Sequence, residues 1–280
     1  MQLRIGSASL DLSRPVVMGI LNVTPDSFSD GGRYADPDAA IRQAERMARE
    51  GAAIIDVGGE STRPGAAAAV SEQTEIDRVV PVIEAIAGRL GIAVSVDTSK
   101  PAVMRAAVAA GATMLNDVYA LRGDGALEEA ARLEVAVCLM HMLGEPRTMQ
   151  ENPRYTDVAG EVAAFLSERV LACVDAGIAR ERIAVDPGFG FGKTDAHNIE
   201  LLANLSRIRG LGLPLLVGLS RKTTLGKLTG RSVDDRLPAG IAAAVLAVER
   251  GAHIVRTHEV GATVDALKVA IAVMRTEVIL

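Results

Sequence analysis

Short apolar runs that end in polar residues alternate along this chain with longer amphipathic segments. The clearest run lies between Ile54 and Gly65, where a β-branched segment ends in acids, hydroxyls, an arginine and three glycines. A run that is apolar without alternation is typical of a strand buried on both faces. The polar tail predicts a loop that carries chemistry, although an ordinary surface loop after a core strand would have the same pattern.

The hydrophobic pattern predicts eight strand-helix units after a weakly alternating segment, Gln2 to Leu12, which predicts a small hairpin able to close one end of the fold. The predicted strands are 16–21, 53–57, 93–96, 113–115, 136–140, 182–185, 213–219 and one that begins at 254. The first predicted helix begins at Asp36-Pro37, an N-cap acid followed by proline, and ends before Gly51. The later helices are predicted at 71–90, 100–110, 125–133, 158–176, 196–205, in a region up to 250, and at 261–274.

Eight such units without a break in composition predict one α/β domain over residues 1–280. We expect a (β/α)8 TIM barrel with an N-terminal β-hairpin, the helices lying outside the strands. A doubly wound open sheet is the alternative, but it does not explain why the units number eight.

Composition limits the classes of partner. Hydrophobic residues make up 49% of the chain, aromatic residues 2%, and the net charge is −5 without a basic run, so a nucleic-acid groove is not expected. The sequence contains no signal peptide and no apolar run long enough to span a membrane, which predicts a cytoplasmic protein. Cys138 and Cys173 lie in apolar surroundings and are expected to be buried free thiols.

Nearly every predicted strand ends on a polar residue that a buried strand does not need. Asp97 and Asp117 are near enough to helix starts to be caps, but capping does not account for all eight strand ends. Chemistry in such barrels occurs where the strands end, so we expect these side chains to meet in one pocket. The strand ends are Asn22, Asp56 with Thr62-Arg63, Asp97, Asn116-Asp117, His141, Asp186, Ser220-Arg221-Lys222 and Arg256-Thr257-His258.

The residue types indicate the chemistry of the ligand. Asp97, Asn116 and Asp186 offer acceptors and one amide, which suit a flat heterocycle with ring N–H and amino donors, such as a pterin or guanine edge. Arg63, Arg256 and His258 are predicted to form a cationic wall for phosphates. Ser220-Arg221-Lys222 lies at a helix start and predicts a further anion site. The expected ligands are therefore a phosphate-bearing nitrogen heterocycle and a second anion.

Two conspicuous motifs are discounted. Gly188 to Thr194 looks like a nucleotide P-loop, but the required first glycine is replaced by Pro187. We interpret it as a loop whose backbone approaches a flat ring, with Phe191 lining or covering that ring. The four histidines lack metal-ligand spacing, so His141 and His197 are expected to be hydrogen-bonded structural residues.

With these residues in place, the chain closely resembles the dihydropteroate synthase family of pterin-binding barrels, from about Val16 to the last helix. The matching segments are 19–32, 56–65, 96–98, 116–118, 186–193, 218–222 and 256–258. The resemblance implies a magnesium-dependent transferase that joins 6-hydroxymethyl-7,8-dihydropterin diphosphate to 4-aminobenzoate, releasing diphosphate by a dissociative, SN1-like displacement. It also implies a homodimer that sulfonamides inhibit.

The resemblance also implies residue roles. Asp97, Lys222 and Arg256 are expected to be catalytic, and Asn22 is expected to contact Mg²⁺. The pterin contacts would be Asp97, Asn116, Asp186 and Lys222, with Phe191 against the ring. The diphosphate region would hold Thr62, Arg63, Arg256 and His258, and the aminobenzoate side Phe28, Thr62, Pro64 and Ser220. Asp56 and Glu60 are interpreted as residues that hold the base of the 58–70 loop.

Two other functions remain open at this point. A methyltetrahydrofolate methyltransferase also holds a pterin through Asp and Asn in a barrel, but it has no use for Arg63, Arg256 and Lys222. A non-catalytic pterin-binding paralogue is the second, and intact polar residues at all eight strand ends argue against it.

Overall fold

A computed structural model provides the structure of the chain and describes residues 1–24, 37–61, 70–145 and 148–274. An antiparallel hairpin comes first, formed by β1 (Gln2–Ile5) and β2 (Ala8–Asp11). Eight parallel strands follow: β3 (Val16–Asn22), β4 (Ile54–Gly58), β5 (Ala93–Asp97), β6 (Met114–Asp117), β7 (Ala136–Met140), β8 (Ile183–Asp186), β9 (Leu216–Gly218) and β10 (Ile254–Thr257).

The helices lie between these strands in the chain. They are α1 (Pro37–Arg49), α2 (Glu72–Arg89), α3 (Pro101–Ala109), α4 (Ala126–Leu133), α5 (Val158–Asp175), α6 (Asp195–Ala203), α7 (Ser206–Arg209), α8 (Thr223–Thr229), α9 (Leu237–Glu249) and α10 (Val260–Met274). A 3₁₀ turn at Arg180–Arg182 leads into β8. The side chain of Ser71 caps α2 by accepting the backbone N–H of Thr74.

The strands close into a barrel. Each pairs in parallel with the next from β3 to β8, and β10 lies between β9 and β3. The ring is completed by a bridge between Val185 and Leu215, next to β9. The predicted (β/α)8 barrel with an N-terminal β-hairpin is confirmed, and the open sheet is excluded.

The hairpin closes the amino-terminal end of the barrel. Leu3, Ile5 and Leu12 are buried in one apolar cluster with side chains from the barrel strands, among them Met18, Ile54, Met114 and Ile254. A second, larger cluster lies between the barrel and its helices. The amino-terminal end is therefore filled with apolar side chains, which leaves the carboxyl ends of the strands for a site.

Two predicted elements differ from the structure. The predicted strand 213–219 is regular only over Leu216–Gly218, because Pro214 has no N–H for a ladder and the Leu215 N–H donates to His253 Nδ1 at 3.1 Å. The helical region up to 250 is two helices, α8 and α9, because Gly230 ends α8 in a left-handed conformation with φ of 67°.

The prediction that the two cysteines are buried free thiols is confirmed. Cys138 and Cys173 are free and buried. Within the described residues, no helix is both long enough and apolar enough to cross a membrane.

Candidate functional site

Strand register brings three predicted site residues into one row. Asn22 pairs with Gly58, Gly58 with Asp97, and Asp97 with Asn116, across β3 to β6. A methyl group on Gly58 would lie 3.6 Å from Asn22 Oδ1 and 3.9 Å from Asp97 Oδ2. The bare backbone of Gly58 thus keeps the space between Asn22 and Asp97 open at the carboxyl end of the barrel.

Arg256 joins this row from β10, the strand that pairs with β3 on the side away from β4. Its Nε donates to Asp56 Oδ2 at 2.6 Å, and its Nη2 donates to Asp97 Oδ2 at 2.8 Å. Asn116 Nδ2 donates to the same Asp56 oxygen at 3.0 Å. Two carboxylates, a guanidinium and an amide from four strands are therefore held in one network.

Asp56 belongs to this network, so its interpretation as a residue of the loop base is wrong. It is fully buried, and its Oδ1 has no hydrogen-bond partner among the residues that the structure describes. A buried acceptor without a partner is costly, so it is a candidate acceptor for a substrate N–H. The signal in the sequence was an acid inside the otherwise apolar run 54–57.

Burial and charge act on the network in opposite directions. Burial raises the pKa of Asp97 to about 7, although Arg256 acts to lower it. Burial also opposes the charge on Arg256, but Asp56 and Asp97 outweigh it and raise the pKa of the guanidinium. The pKa of Asp186 is raised by burial, against the N–H of Gly188 and the charge of Lys222. The barrel mouth is thus a poorly hydrated site in which small changes of charge matter.

Lys222 and Phe191, two residues predicted for the pterin end, lie together near Asp186. Lys222 Nζ lies 4.4 Å from the centroid of the Phe191 ring, a cation–π geometry. A methyl group on Gly190 would lie 3.4 Å from Lys222 Cδ, so the lysine stem passes close over the loop backbone. Phe191 also packs on a small apolar cluster of Val118, Met140, Met142 and Met149. The loop therefore offers an apolar surface next to a cation.

Ser220 and His258 form a second group. Ser220 Oγ lies 2.8 Å from His258 Nδ1 and donates to Glu259 Oε2 at 2.9 Å. Arg221, whose φ of 58° is unusual for a residue with a side chain, donates to Glu259 Oε1 at 2.6 Å. Sequence reasoning missed Glu259, which follows His258 directly. In this structure His258 therefore faces Ser220, whereas Arg256 faces the carboxylates of Asp56 and Asp97.

The base of the loop after β4 is held by Lys100. Its Nζ donates to Glu60 Oε2 at 2.5 Å, to Glu75 Oε2 at 2.6 Å and to the carbonyl of Val70 at 3.0 Å. The interpretation of Glu60 as a residue of the loop base is confirmed. Four predicted site residues lie outside the described part of the chain, namely Phe28, Thr62, Arg63 and Pro64.

Three polar residues near the site have local structural roles. Asp117 accepts the backbone N–H groups of Tyr119 and Leu121 in the turn that follows β6. Neither Asp117 nor Asp97 caps a helix, because α4 begins after Gly125 and α3 begins after Lys100. His197 completes a capping box with Thr194 at the start of α6. His141 is hydrogen-bonded to Lys193 and buried, in agreement with the prediction of a structural histidine.

Asn22 fits a magnesium site that is completed by substrate. Among the residues described, no three acids, cysteines or histidines are grouped as a self-sufficient metal cage. Mg²⁺ needs no such cage when phosphate oxygens and water complete its octahedron. An amide oxygen at the end of β3, beside the open space over Gly58, is a hard donor of the required kind.

The arrangement of these groups favours binding a polar, flat ring that carries anionic groups. The acceptors of Asp97, Asn116 and Asp186 lie close to the cations Lys222 and Arg256. The second group, Ser220 and His258, lies just after the ends of β9 and β10. An electron-poor cation formed here would be stabilised by carboxylates in a site where little water screens them.

Comparison with known proteins gives the same result over almost the whole chain. The family of pterin binding enzymes matches residues 18–258. The dihydropteroate synthase of Escherichia coli strain K12 is 52% identical over 274 residues, covering 98% of this chain and 97% of that protein.

Solved structures agree. The Yersinia pestis dihydropteroate synthase in a sulfonamide drug complex is 50% identical with a TM-score of 0.93, covering 99% of this chain and 100% of that chain. The Xanthomonas albilineans dihydropteroate synthase with 4-aminobenzoic acid is 53% identical with a TM-score of 0.92, covering 98% of each chain. The chain therefore belongs to the pterin binding enzymes, within the dihydropteroate synthase family.

Proposed function

We propose that this chain condenses 6-hydroxymethyl-7,8-dihydropterin diphosphate with 4-aminobenzoate, giving 7,8-dihydropteroate and diphosphate in folate biosynthesis. Family membership makes it a transferase. The observation that carries the substrate assignment is the buried network of Arg256, Asp56, Asp97 and Asn116 in the barrel mouth. Such a set recognises a ring with several N–H donors and leaves a carboxylate near the carbon that reacts.

The pterin ring would lie among Asp97, Asn116 and Asp186, with Lys222 and Phe191 against it. Asp56 Oδ1 adds a further buried acceptor. The carboxylate acceptors would reject rings that lack the matching N–H groups, because those acceptors would be left unpaired.

The reaction begins with cleavage of the bond between the methylene carbon and the bridging oxygen. The electron pair leaves with diphosphate, whose negative charge Arg256 and His258 would offset, together with the predicted contacts Thr62 and Arg63. The methylene left behind is a resonance-stabilised cation, and the carboxylate of Asp97 stabilises it by charge. No covalent intermediate with the protein is needed.

The second bond forms when the arylamine of 4-aminobenzoate attacks that cation. Its nitrogen lone pair makes the new C–N bond, and the nitrogen then releases one proton to solvent or diphosphate. Ser220 at the end of β9 would face the aminobenzoate, as would the predicted residues Phe28, Thr62 and Pro64. Sulfonamides, which resemble aminobenzoate in shape and charge, are expected to compete there.

Mg²⁺, when bound, would neutralise diphosphate charge and so make diphosphate a better leaving group. Asn22 would hold the ion through its amide oxygen, and the diphosphate oxygens and water would complete its shell. The carboxylate of Asp97 lies close to Asn22 across Gly58, so its position would serve both the cation and the charge balance of the ion.

A homodimer in the cytoplasm is the proposed state of the protein. Outer residues of α9 and α10, including Leu246, Val269 and Val273, are exposed although they are large and apolar. Because α9 and α10 pack against each other, these side chains are candidates for an interface between two copies of the chain. Sedimentation equilibrium tests the proposal, and a monomer at micromolar concentration would contradict it.

The proposed reaction is tested by steady-state assay of purified protein with both substrates and Mg²⁺, with dihydropteroate separated and quantified. Product formation that depends on both substrates and stops with a sulfonamide is expected. Absence of product from protein that still binds 6-hydroxymethylpterin in a calorimeter would instead support the non-catalytic paralogue. Binding of methyltetrahydrofolate but not of pterin diphosphate would support the methyltransferase.

A further inference from the structure

Lys193 ends the glycine-rich loop after β8, and the reaction described above does not use it. Its side chain is only 2% exposed, so it does not reach a ligand in the barrel mouth. It turns inward and lies next to His141 at the end of β7. A buried lysine is rare and costly, so what it contacts needs an explanation.

The surroundings of Lys193 match its three donors. Its Nζ lies 2.9 Å from the carbonyl oxygen of Gly188, 3.1 Å from that of Phe191 and 2.9 Å from Nδ1 of His141. Burial and the charge of Lys193 lower the pKa of His141 to about 3, so the imidazole is neutral. Because an ammonium group only donates, the geometry assigns Nδ1 of His141 as the acceptor. Each N–H of the ammonium therefore has one acceptor.

Through these bonds the buried Lys193 connects the loop 188–193 to His141 at the end of β7. Gly188 has a φ of 67°, and a methyl group there would overlap the carbonyl oxygen of His141. Both backbone polar groups of Gly188 are hydrogen-bonded, since its N–H donates to Asp186 Oδ1 at 2.7 Å and its carbonyl accepts from Lys193. The carbonyl of Phe191, the residue whose ring faces Lys222, also accepts a hydrogen bond from Lys193.

We propose that Lys193, paired with His141, is the positioning residue for the pterin end of the site. It acts through the loop on the carboxylate of Asp186 and on the pair formed by Phe191 and Lys222, without touching substrate. This inference rests on the proposed function only in that the occupant of this end is a pterin. The lysine that makes the loop look like a P-loop thus shapes a ring-binding surface instead of binding phosphate.

Calorimetry with 6-hydroxymethylpterin tests the proposal, because this probe lacks diphosphate and reports on the pterin end alone. The test variant is Lys193→Met. The matched control is Lys268→Met, at an exposed position of α10. Burial lowers the pKa of Lys193 to about 7, so binding is measured below that pH, where the ammonium is charged. We expect the dissociation constant to rise at least about tenfold for Lys193→Met and to stay within twofold of the original for Lys268→Met.

His141 supplies a second, independent pair of variants. His141→Asn keeps an acceptor near the position of Nδ1, whereas His141→Leu removes it, and both lose the edge contact of the imidazole with Phe165, whose centroid is 4.9 Å away. Their melting temperatures should therefore fall together while their dissociation constants separate, with His141→Asn close to the original protein. This pair keeps the test decisive if Lys193→Met does not fold.

The KM for 4-aminobenzoate, measured at saturating pterin diphosphate, should not change in folded Lys193→Met. A lower melting temperature with an unchanged dissociation constant for the pterin would overturn the proposal, because it would mark a merely structural lysine. Equal dissociation constants for His141→Asn and His141→Leu would overturn the pairing. Failure of the original protein to bind 6-hydroxymethylpterin would instead refute the proposed function.

Discussion

At the scale of the residue, Asp97 is where the geometry and the proposed chemistry meet most directly. It accepts from Arg256, faces Asn22 across Gly58, and lies beside Asn116 in the strand register. Its type and its position at a strand end were both readable in the sequence. Its partner Arg256 was predicted to face phosphate, and only the folded barrel shows that this guanidinium also lies against two carboxylates.

Replacing Asp97 by Asn should lower kcat by roughly 100-fold or more, because a neutral amide cannot stabilise the cationic methylene. Steady-state kinetics at saturating substrates provide the measurement. Asp265→Asn, on the exposed face of α10, is the matched control and should keep its activity. Near-normal turnover of Asp97→Asn would contradict the role given to the carboxylate.

The pH dependence follows from the same residue. Because the pKa of Asp97 is raised to about 7, the carboxylate is ionised above that pH and protonated below it. The value of kcat/KM for pterin diphosphate should therefore fall as the pH is lowered through about 7. The diphosphate of the substrate also takes up protons in this pH range, and the profile of Asp97→Asn measures that contribution. Only the pH dependence that the original protein shows and Asp97→Asn lacks therefore belongs to Asp97. An identical profile in both proteins would exclude Asp97 as the titrating group.

Asn22→Ala should raise the Mg²⁺ concentration that gives half-maximal rate by about tenfold or more, since one hard oxygen donor is removed. Titration of Mg²⁺ after chelator treatment measures this. The dissociation constant of 6-hydroxymethylpterin, which has no diphosphate, should not change. If both quantities move together, Asn22 belongs to the ring site and not to the metal.

At the scale of the element, the carboxyl ends of the strands carry the site and the helix that follows carries its supports. Lys100, the residue before α3, joins Glu60, Val70 and Glu75. It therefore connects both stems of the segment between residues 61 and 70 with the first turn of α2. Sequence reasoning identified Glu60 as part of the loop base but could not identify its partner, since the two are 40 positions apart.

Lys100→Met should lower the free energy of unfolding by about 3 kcal/mol, because the buried carboxylate of Glu75 is left without its partner. Urea denaturation measures the change. The double variant Lys100→Met with Glu75→Gln should recover part of the loss, since the uncompensated charge is gone. A single variant as stable as the original protein would show that water or another cation replaces Lys100.

At the scale of the whole molecule, the two ends of the barrel have separate tasks. The amino-terminal end is closed by the hairpin and packed with apolar side chains, while the polar network lies at the other end. Barrel strands that hold their inward side chains in layers allow one end to be optimised for stability and the other for chemistry.

Leu3→Ala should therefore cost about 2 to 5 kcal/mol in stability, because Leu3 is fully buried in the hairpin cluster. It should leave the KM values of both substrates unchanged, since the site lies at the opposite end. Leu171→Ala, at an exposed position of α5, is the control and should alter neither quantity. A marked change of KM in folded Leu3→Ala would show that the two ends are coupled.

The sequence by itself determined the strand-helix alternation, the barrel, and the polar residues at the strand ends. These are local properties, because hydrophobic period and residue type are written along the chain. It also determined the resemblance of the ordered motifs, which the comparisons bear out. Tertiary structure alone decided the pairings: Arg256 with Asp56 and Asp97, Lys193 with His141, and Lys100 with both stems of its loop. A long side chain on one strand can reach several neighbours, and only barrel closure and register determine which of them it meets.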